Sequence, residues 1–336
     1  MNNMPKVSVI MACHNSSRYL DEAIGSVLSQ TLDDLELIVI DDYSIDNTLE
    51  IARRYQVEDD RVTVISMPKN SGCAVARNVG VRAARGEWLG ILDSDDVAMP
   101  ERFEEQMSLA NNGQDLVLIG SDFISIDQNG LKIKAHKYPT DHETLAKRLE
   151  SLGAFPAHPS IVYRRDMVEK LSGYNSRYNS AEDYDLWLRL SEAGKLASVD
   201  KPLVKYRRHE KNMSYLENGK LQIRLGVVAT TCHFLRVHDY PDPSAGNDEE
   251  TWQKFVAWID ERITKEGLYE RREAWAYARK EYFAKANLLS GSFRFGTCLL
   301  LSGHAASLIW EKGFGSSLPK RLAQDWMKQA KVFTKT

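Results

Sequence analysis

The chain has 336 residues, of which 43% are hydrophobic and 27% charged, and its formal net charge is −3. These values are typical of a soluble globular protein with one large or two smaller domains. They exclude the strong basic excess of a nucleic-acid-binding protein, so we expect no nucleic-acid partner. The four cysteines are too few and too scattered for a disulfide scaffold or a site with short metal-ligand spacing.

The sequence shows no targeting or membrane-spanning segment. Its first residues lack the pattern of a signal peptide, and no apolar run reaches the ~20 residues that span a bilayer. The nearest candidate, Ala286–Trp310, is interrupted by Arg294 and His304. We therefore expect a cytoplasmic protein, with peripheral contact at the inner face of the membrane left open.

Strand and helix patterns alternate through the first third of the chain. Compact apolar runs predict strands at Val7–Ala12, Leu35–Ile40, Val62–Ile65 and Trp88–Leu92. Helices are expected after Ser16–Ser17, from Thr48 to Tyr55, after Gly72 with Val75, Val79 and Ala83 on its inner face, and after Pro100. This alternation predicts an α/β fold with a doubly wound, mostly parallel sheet flanked by helices.

The rest of the chain divides into a mixed segment and a helical one. Further strands are expected at Leu116–Gly120, Ser160–Tyr163 and Leu203–Tyr206, with a hairpin turn at 127–130 and a helix at Glu182–Ala193. From about residue 217 the strand patterns end and aromatic-rich helical patterns follow. We therefore expect a domain at 1–216 and a helical appendage at 217–336. Within it, Tyr269–Lys285 and Phe293–Trp310 either pack on the first domain, which we favour, or mediate oligomerisation or membrane-surface contact.

Acidic clusters follow the second and fourth predicted strands, at the sheet edge where open α/β folds bind ligands. Asp93-Ser94-Asp95 offers carboxylates of the kind that hold Mg²⁺ or Mn²⁺ shared with substrate phosphates. The same residues are also common in ordinary turns. Asp42 is interpreted as an acceptor for a base N–H or a ribose hydroxyl, and Asp46 as a helix cap.

Three further groups carry candidate chemistry. Arg77, near the start of the helix after Gly72, offers hydrogen-bond donors to an anion. The same sequence would also fit an ordinary surface arginine beside a helix cap. Glu182 and Asp183 stand at a helix start, where they either stabilise the helix dipole or supply a general base. The Arg207-Arg208-His209 stretch suits phosphates, with His209 as a candidate metal ligand.

The order of these motifs resembles glycosyltransferase family 2 over about residues 5–215. The residues that carry the resemblance are Val7–Ile10, Asp41-Asp42, Ser71–Asn78, Asp93–Asp96, Glu182-Asp183 and Arg207–Ser214. The resemblance implies a GT-A fold and an inverting reaction. Two features depart from it: Tyr43 stands where the family often has glycine, and residues 217–336 lie outside the shared core.

The resemblance also implies a role for each candidate residue. Asp42 would bind the nucleobase, Asp93 the ribose or diphosphate region, and Asp95 the metal, Mn²⁺ or Mg²⁺. Asp183 would be the catalytic base with Glu182 beside it, while Arg207 and His209 would close over the diphosphate and the metal. The remaining donor-binding assignments are Ala12, His14, Arg77 and Ser94.

The expected reaction moves a sugar from a nucleotide-diphosphate donor, preferably a UDP-sugar, to a hydroxyl of a glycan or lipid-linked acceptor. Surface polysaccharide or glycoconjugate synthesis is the expected setting. Two alternatives stay open, a sugar-1-phosphate nucleotidyltransferase and a non-catalytic nucleotide- or sugar-binding module. The first would more often carry a glycine-rich loop after the first strand, where this chain has Ala12–Ser16. A homo-oligomer built through the C-terminal helices is a further possibility.

Overall fold

The structure is a computed structural model that describes residues 4–113, 115–210, 212, 219–270 and 317–333. The chain forms two compact units. The first comprises Met1–Ala146 and Ala154–Tyr215, and the second comprises Lys147–Gly153 and Leu216–Thr336.

A nine-stranded sheet forms the frame of the first unit. Its strands are β1 (Val7–Cys13), β2 (Leu35–Asp41), β3 (Val62–Ser66), β4 (Trp88–Ile91), β5 (Val97–Ala98), β6 (Leu116–Ile126), β7 (Lys132–His136), β8 (Val162–Arg164) and β9 (Lys195–Arg207). Their order is β3-β2-β1-β4-β8-β6-β9-β5, and β7 pairs with β6. The half from β3 to β4 is parallel, as is the β6–β9 pair. The expected α/β class is confirmed, and the sheet is mixed because β5, β7 and β8 pair antiparallel.

Helices separate the strands and continue into the second unit. They are α1 (Leu20–Leu28), α2 (Thr48–Glu58), α3 (Cys73–Ala83), α4 (Arg102–Asn112), α5 (His142–Glu150), α6 (Arg165–Lys170), α7 (Glu182–Ala193), α8 (Gly219–Arg236), α9 (Glu249–Lys265) and α10 (Leu318–Phe333). The expected hairpin turn at 127–130 joins β6 to β7. The strand expected at Ser160–Tyr163 begins only at Val162, because a 3-10 helix occupies His158–Ser160.

The core lies between the sheet and its helices. Every residue of β2 is buried, and β1 has only one half-buried residue, as expected of central parallel strands. Because β1, β2 and β4 run in parallel, their carboxyl ends meet at one edge. This edge carries the segments that follow Cys13, Asp41 and Ile91.

The inner face of α3 differs from our expectation. Val75, Val79 and Ala83 were expected to face inward, but the first two are half-buried and Ala83 is exposed. The helix instead buries small residues, including Ala76 and Gly80. A Cβ atom on Gly80 would lie 2.6 Å from Ile10 Cγ2 and 2.8 Å from Ile40 Cδ1. The helix therefore approaches β1 and β2 so closely that only small side chains fit between them.

The described residues of the second unit form helices joined by loops and contain no strand, in agreement with the absence of strand patterns after residue 217. Helix α9 buries Trp252, Phe255, Ile259 and Ile263. Trp326 of α10 packs edge-on against Phe255 and Trp258, with ring centroids 4.8 and 5.1 Å apart. An aromatic cluster thus joins α9 to α10.

The described helices include none that is long and apolar enough to cross a membrane. The interrupted apolar stretch Ala286–Trp310 and the segment Phe293–Trp310 lie outside the described residues. Tyr269–Lys285 lies outside them too, except for its first two residues.

We predict that Gly80→Val lowers the free energy of unfolding by about 1–3 kcal/mol, because overpacking shifts α3 off the sheet. Gly25→Ala is the matched control, since no atom lies within 4 Å of a Cβ atom added there. It should be neutral or stabilise by up to about 1 kcal/mol through helix propensity. Denaturant unfolding of both variants measures the contrast, and equal stabilities would contradict the close approach of α3.

Candidate active site

Asp42 connects the end of β2 to the start of α3. Its Oδ1 accepts a hydrogen bond from Ser71 N and its Oδ2 one from Gly72 N, both at 2.8 Å. Gly72 has φ +85°, a conformation that favours glycine. The buried carboxylate of Asp42 therefore satisfies backbone donors that precede the helix, and it fixes the loop at the edge of the sheet.

His14 lies beside Asp42 in the loop after β1. Its Nδ1 is 2.8 Å from the Asp42 carbonyl oxygen, and its Nε2 is 3.0 Å from Asn15 Nδ2 and 3.2 Å from Asn70 Nδ2. Since a carbonyl only accepts and an amide NH₂ only donates, this network assigns the proton to Nδ1. The half-buried Ala12 precedes this loop in β1, opposite Ile40. The loops after β1 and β2 thus form one polar rim.

Arg77 is a buried cation between two carboxylates. Its Nη1 donates to Glu182 Oε1 at 2.7 Å, and its Nη2 donates to Asp93 Oδ1 at 3.0 Å. Burial lowers the pKa of Arg77, but the charges of Asp93, Cys73 and Glu182 outweigh burial and hold that pKa well above its usual value. Arg77 therefore stays charged and joins the end of β4 to the start of α7.

Asp183 follows Glu182 in the first turn of α7 and is half-buried. Its Oδ1 accepts a hydrogen bond from Tyr184 N at 2.7 Å. Burial and the negative charge of Glu182 raise the pKa of Asp183 to about 7, although Arg77 opposes them. Burial and the charge of Asp95 likewise raise the pKa of Asp93 against the effect of Arg77. Of these two groups, Asp183 has a carboxyl pKa near neutral pH, as a general base requires.

Asp95 and His209 form a pair of candidate metal ligands. Asp95 Oδ2 lies 2.8 Å from His209 Nε2 and 3.2 Å from Asn212 Nδ2. The first separation is close to the distance of about 3 Å between adjacent ligands that each lie ~2.1 Å from an octahedral ion. The described residues contain no ready cluster of three His, Cys, Asp or Glu. This pair fits an ion that takes its other ligands from water and substrate phosphates.

Arg207, the last residue of β9, is buried and fastens the end of this strand to the loop after β4. Its backbone N–H donates to Asp96 Oδ1 at 2.7 Å, and its Nε donates to the Asp95 carbonyl oxygen at 2.8 Å. Its Nη2 donates to Glu22 Oε2 at 2.6 Å. Ser94 is also buried, and its hydroxyl donates to Ser16 Oγ at 2.8 Å. Arg207 and Ser94 therefore position the acidic loop through contacts within the protein.

The predicted site residues thus fall into connected groups along one edge. Arg77 joins Asp93 to Glu182, and Asp95 pairs with His209, while residues 93–96 link the two groups. Our sequence reasoning did not single out four contributors, which are Tyr19, Glu22, Asn212 and Asn78. Asn78 binds the backbone of Tyr174 at 2.7 and 2.8 Å. Asn78 and Asn212 lie within the motifs Ser71–Asn78 and Arg207–Ser214, and this position was the available signal for them.

Comparisons with known proteins identify the family of this chain. Residues 8–172 match the family model described as glycosyl transferase family 2. WbnJ, an O-antigen biosynthesis glycosyltransferase of Escherichia coli, is 35% identical over 230 residues, which are 65% of this chain and 87% of WbnJ. The chain belongs to glycosyltransferase family 2. A glycosyltransferase of Methanocaldococcus jannaschii is 34% identical over 221 residues, 65% of this chain and 76% of that protein.

Solved structures show that this transferase has the GT-A-like fold expected from its motifs. The S. aureus TarS 1–349 structure in complex with UDP-GlcNAc has a TM-score of 0.56 and 21% identity, and the match covers 77% of this chain and 73% of that TarS 1–349 chain. The mannosyltransferase PcManGT of Pyrobaculum calidifontis, in complex with GDP-Man and Mn²⁺, has a TM-score of 0.52 and 16% identity. The match covers 96% of this chain and 86% of the PcManGT chain.

Tyr43, where the transferase departs from the family, has a φ of +62°. This left-handed conformation favours glycine, since a Cβ atom makes it unfavourable. Ser44, the next residue, donates its backbone N–H to Asp41 Oδ2 at 3.4 Å, and its hydroxyl accepts from Asn15 N at 2.9 Å. These bonds hold the turn despite the unfavourable conformation of Tyr43.

We predict that Tyr43→Gly keeps or raises the free energy of unfolding, because 53% of Tyr43 is exposed and little burial is lost. Tyr43→Val should be about 1–2 kcal/mol less stable than the glycine variant, since a β-branched residue tolerates this conformation poorly. Denaturant unfolding compares the two. A valine variant as stable as the glycine variant would contradict the positive φ.

Proposed function

We propose that the transferase moves a sugar from a nucleoside diphosphate donor, preferably a UDP-sugar, onto a hydroxyl of a glycan or lipid-linked acceptor. One observation carries the proposal: the buried Arg77 holds the donor-side Asp93 and the helix that carries Asp183 together. A carboxyl group with a pKa of about 7 therefore stands next to the acidic loop at the ligand-binding edge of the sheet. A donor and an acceptor could meet at this point.

Asp183 acts as the general base in the proposed reaction. It accepts the proton of the acceptor hydroxyl while the acceptor oxygen forms a bond to the anomeric carbon. The bond from that carbon to the diphosphate oxygen breaks on the opposite face, and the nucleoside diphosphate leaves with the electron pair. The transition state is of the oxocarbenium type, as in glycoside hydrolysis. Glu182 holds Arg77 and raises the pKa of the base.

The charge of the site supports a divalent cation. Asp42, Asp93, Asp95, Glu182 and Asp183 contribute carboxylates around the proposed donor position, while the guanidinium of Arg77 is bound to two of them. A diphosphate in this setting needs further positive charge. Asp95 and His209 would hold Mn²⁺ or Mg²⁺, which supplies that charge to the leaving group when bound.

The relatives support the donor and the setting that we propose. TarS has been solved with UDP and with UDP-GlcNAc, and PcManGT with GDP-Man and Mn²⁺. WbnJ is named for O-antigen biosynthesis. We propose the same broad role in surface polysaccharide or glycoconjugate synthesis. Asp42 and His14, in the rim formed by the loops after β1 and β2, would contact the nucleobase together with Ala12 of β1.

We assign the two parts of the chain different roles. Residues 1–216 would bind the donor and carry out the transfer, because all the candidate site residues lie there. Residues 217–336 would serve the acceptor, an oligomer interface or peripheral contact with a membrane surface. The reaction would take place in the cytoplasm, at the inner face of the membrane where the acceptor is lipid-linked.

The first test of this function is Asp183→Asn. The variant should lose about 10²–10⁴ in transfer rate, because the amide cannot accept the proton. UDP binding, measured by calorimetry, should stay close to that of the wild type. Release of pyrophosphate rather than UDP by the wild type would indicate a nucleotidyltransferase instead.

Asp166→Asn is a matched control for this test. Asp166 also stands in the first turn of a helix, α6, and its Oδ1 accepts from the next backbone N–H at 2.9 Å. Its side chain is exposed, and it should keep wild-type activity. An Asp183→Asn variant that transfers as fast as this control would contradict the assignment of the base.

The second test uses pH, with saturating donor and metal so that binding does not limit the rate. The base must be ionised, so the rate should fall about tenfold per pH unit below a midpoint near 7 and level off above it. Glu182→Gln should move this midpoint to lower pH, because it removes a negative charge that raises the pKa of Asp183. An unmoved midpoint would contradict the coupling of Glu182 to Asp183.

A further inference from the structure

Tyr19, at the start of α1, contacts two residues on the donor side of the site. The guanidinium carbon of Arg207 lies 4.5 Å from the centre of its ring, within the range of a cation–π contact. The imidazole of His209 stacks against the same ring, with centroids 5.4 Å apart and planes at 29°. One side chain therefore contacts both ends of the short segment 207–209.

This segment also carries one of the two candidate metal ligands. His209 Nε2 lies 2.8 Å from Asp95 Oδ2, and Arg207 Nε donates to the Asp95 carbonyl oxygen at 2.8 Å. The relative position of Asp95 and His209 therefore depends on where segment 207–209 lies. Glu22 of α1 accepts from Arg207 Nη2 at 2.6 Å and fastens the same segment to the helix that follows Tyr19.

The ring of Tyr19, rather than its hydroxyl, makes these contacts. Among the described residues the buried Tyr19 hydroxyl oxygen has no hydrogen-bond partner. Arg18 also approaches the ring, with its guanidinium carbon 4.9 Å from the centre. An imidazole ligand needs a fixed ring orientation before its nitrogen can face a metal, and neighbouring residues usually supply it. Tyr19 contacts His209 as such a neighbour would.

We propose that Tyr19 is a positioning residue, which orients His209 and Arg207 so that His209 and Asp95 present their ligand atoms to one divalent cation. The proposal rests on the proposed function, because it requires the cation that accompanies the donor diphosphate. In this proposal Tyr19 acts through Arg207 and His209 and makes no contact of its own with the cation or the sugar. Its effect should therefore be seen in metal-dependent donor binding and should be absent when no metal is present.

The test measures UDP binding by calorimetry, once in saturating Mn²⁺ and once in EDTA, for the full-length chain. Tyr19→Leu, which removes the aromatic face, should weaken UDP binding in Mn²⁺ by about 10–100-fold, the usual effect of losing a residue that orients a metal ligand. Binding in EDTA should stay at the wild-type level. Tyr19→Phe should match the wild type in both conditions, because it keeps the ring.

Tyr55→Leu is the matched control. The Tyr55 ring also lies near a guanidinium, that of Arg54 at 5.1 Å, but it stands on α2 and takes no part in the proposed site. This variant should bind UDP as the wild type does in both conditions.

The outcomes separate this proposal from the proposed function. If the wild type binds UDP equally well in Mn²⁺ and in EDTA, the site holds no cation with the donor. That result would contradict both proposals. Metal-dependent wild-type binding that Tyr19→Leu leaves unchanged would overturn only the role of Tyr19. Equal weakening in Mn²⁺ and EDTA would also overturn it, since the ring would then support the whole donor site.

Discussion

One buried guanidinium, that of Arg77, determines how the parts of the active site meet. It binds Asp93, which follows β4, and Glu182, which begins α7 and lies 105 residues away in the sequence. Hydrogen bonds between charged groups are short and directional, and removal of one partner from a buried pair costs about 3–5 kcal/mol. Arg77 therefore fixes the distance between the donor-side loop and the helix that carries Asp183. The proposed metal ligands, donor contacts and base can act together only while this bridge holds.

Carboxylates of the same kind take different roles here because their surroundings differ. Asp42 accepts two backbone N–H groups and fixes the start of α3. Asp96 is fully buried, and burial raises its pKa well above the usual range while its Oδ1 accepts from Arg207 N. Asp183 is only half-buried and, with a pKa of about 7, can exchange a proton near neutral pH. The fold thus gives the candidate base surroundings that differ from those of Asp42 and Asp96.

The sequence was a good guide to elements that depend on local pattern. The first four strands, the hairpin turn at 127–130 and the helix Glu182–Ala193 follow from periodicity and turn residues, and the structure contains them. The prediction of the buried face of α3 was wrong, because the close approach at Gly80 favours small residues over the larger Val75 and Val79. Contact distance between a helix and a sheet is not encoded in the periodicity of the helix alone.

Long-range contacts within the site could not be predicted in the same way. Glu22 and Arg207 are 185 residues apart, and Tyr19 meets His209 only because β9 ends beside α1. Neither Glu22 nor Tyr19 belongs to a motif whose spacing indicates chemistry. The unusual Tyr43 was visible in the sequence, but its left-handed conformation required the structure. Motifs identified the candidate residues, and only the fold identified the side chains that support them.

The most direct test of this account is a crystal structure of the transferase with UDP and Mn²⁺, with the ion located by its anomalous signal. We predict one ion at about 2.1–2.2 Å from a carboxylate oxygen of Asp95, bridging to the two phosphates of UDP, with the nucleobase near Asp42 and Asp183 facing the open side of the diphosphate. An ion or a nucleotide bound away from Asp42, Asp95 and Asp183 would contradict it.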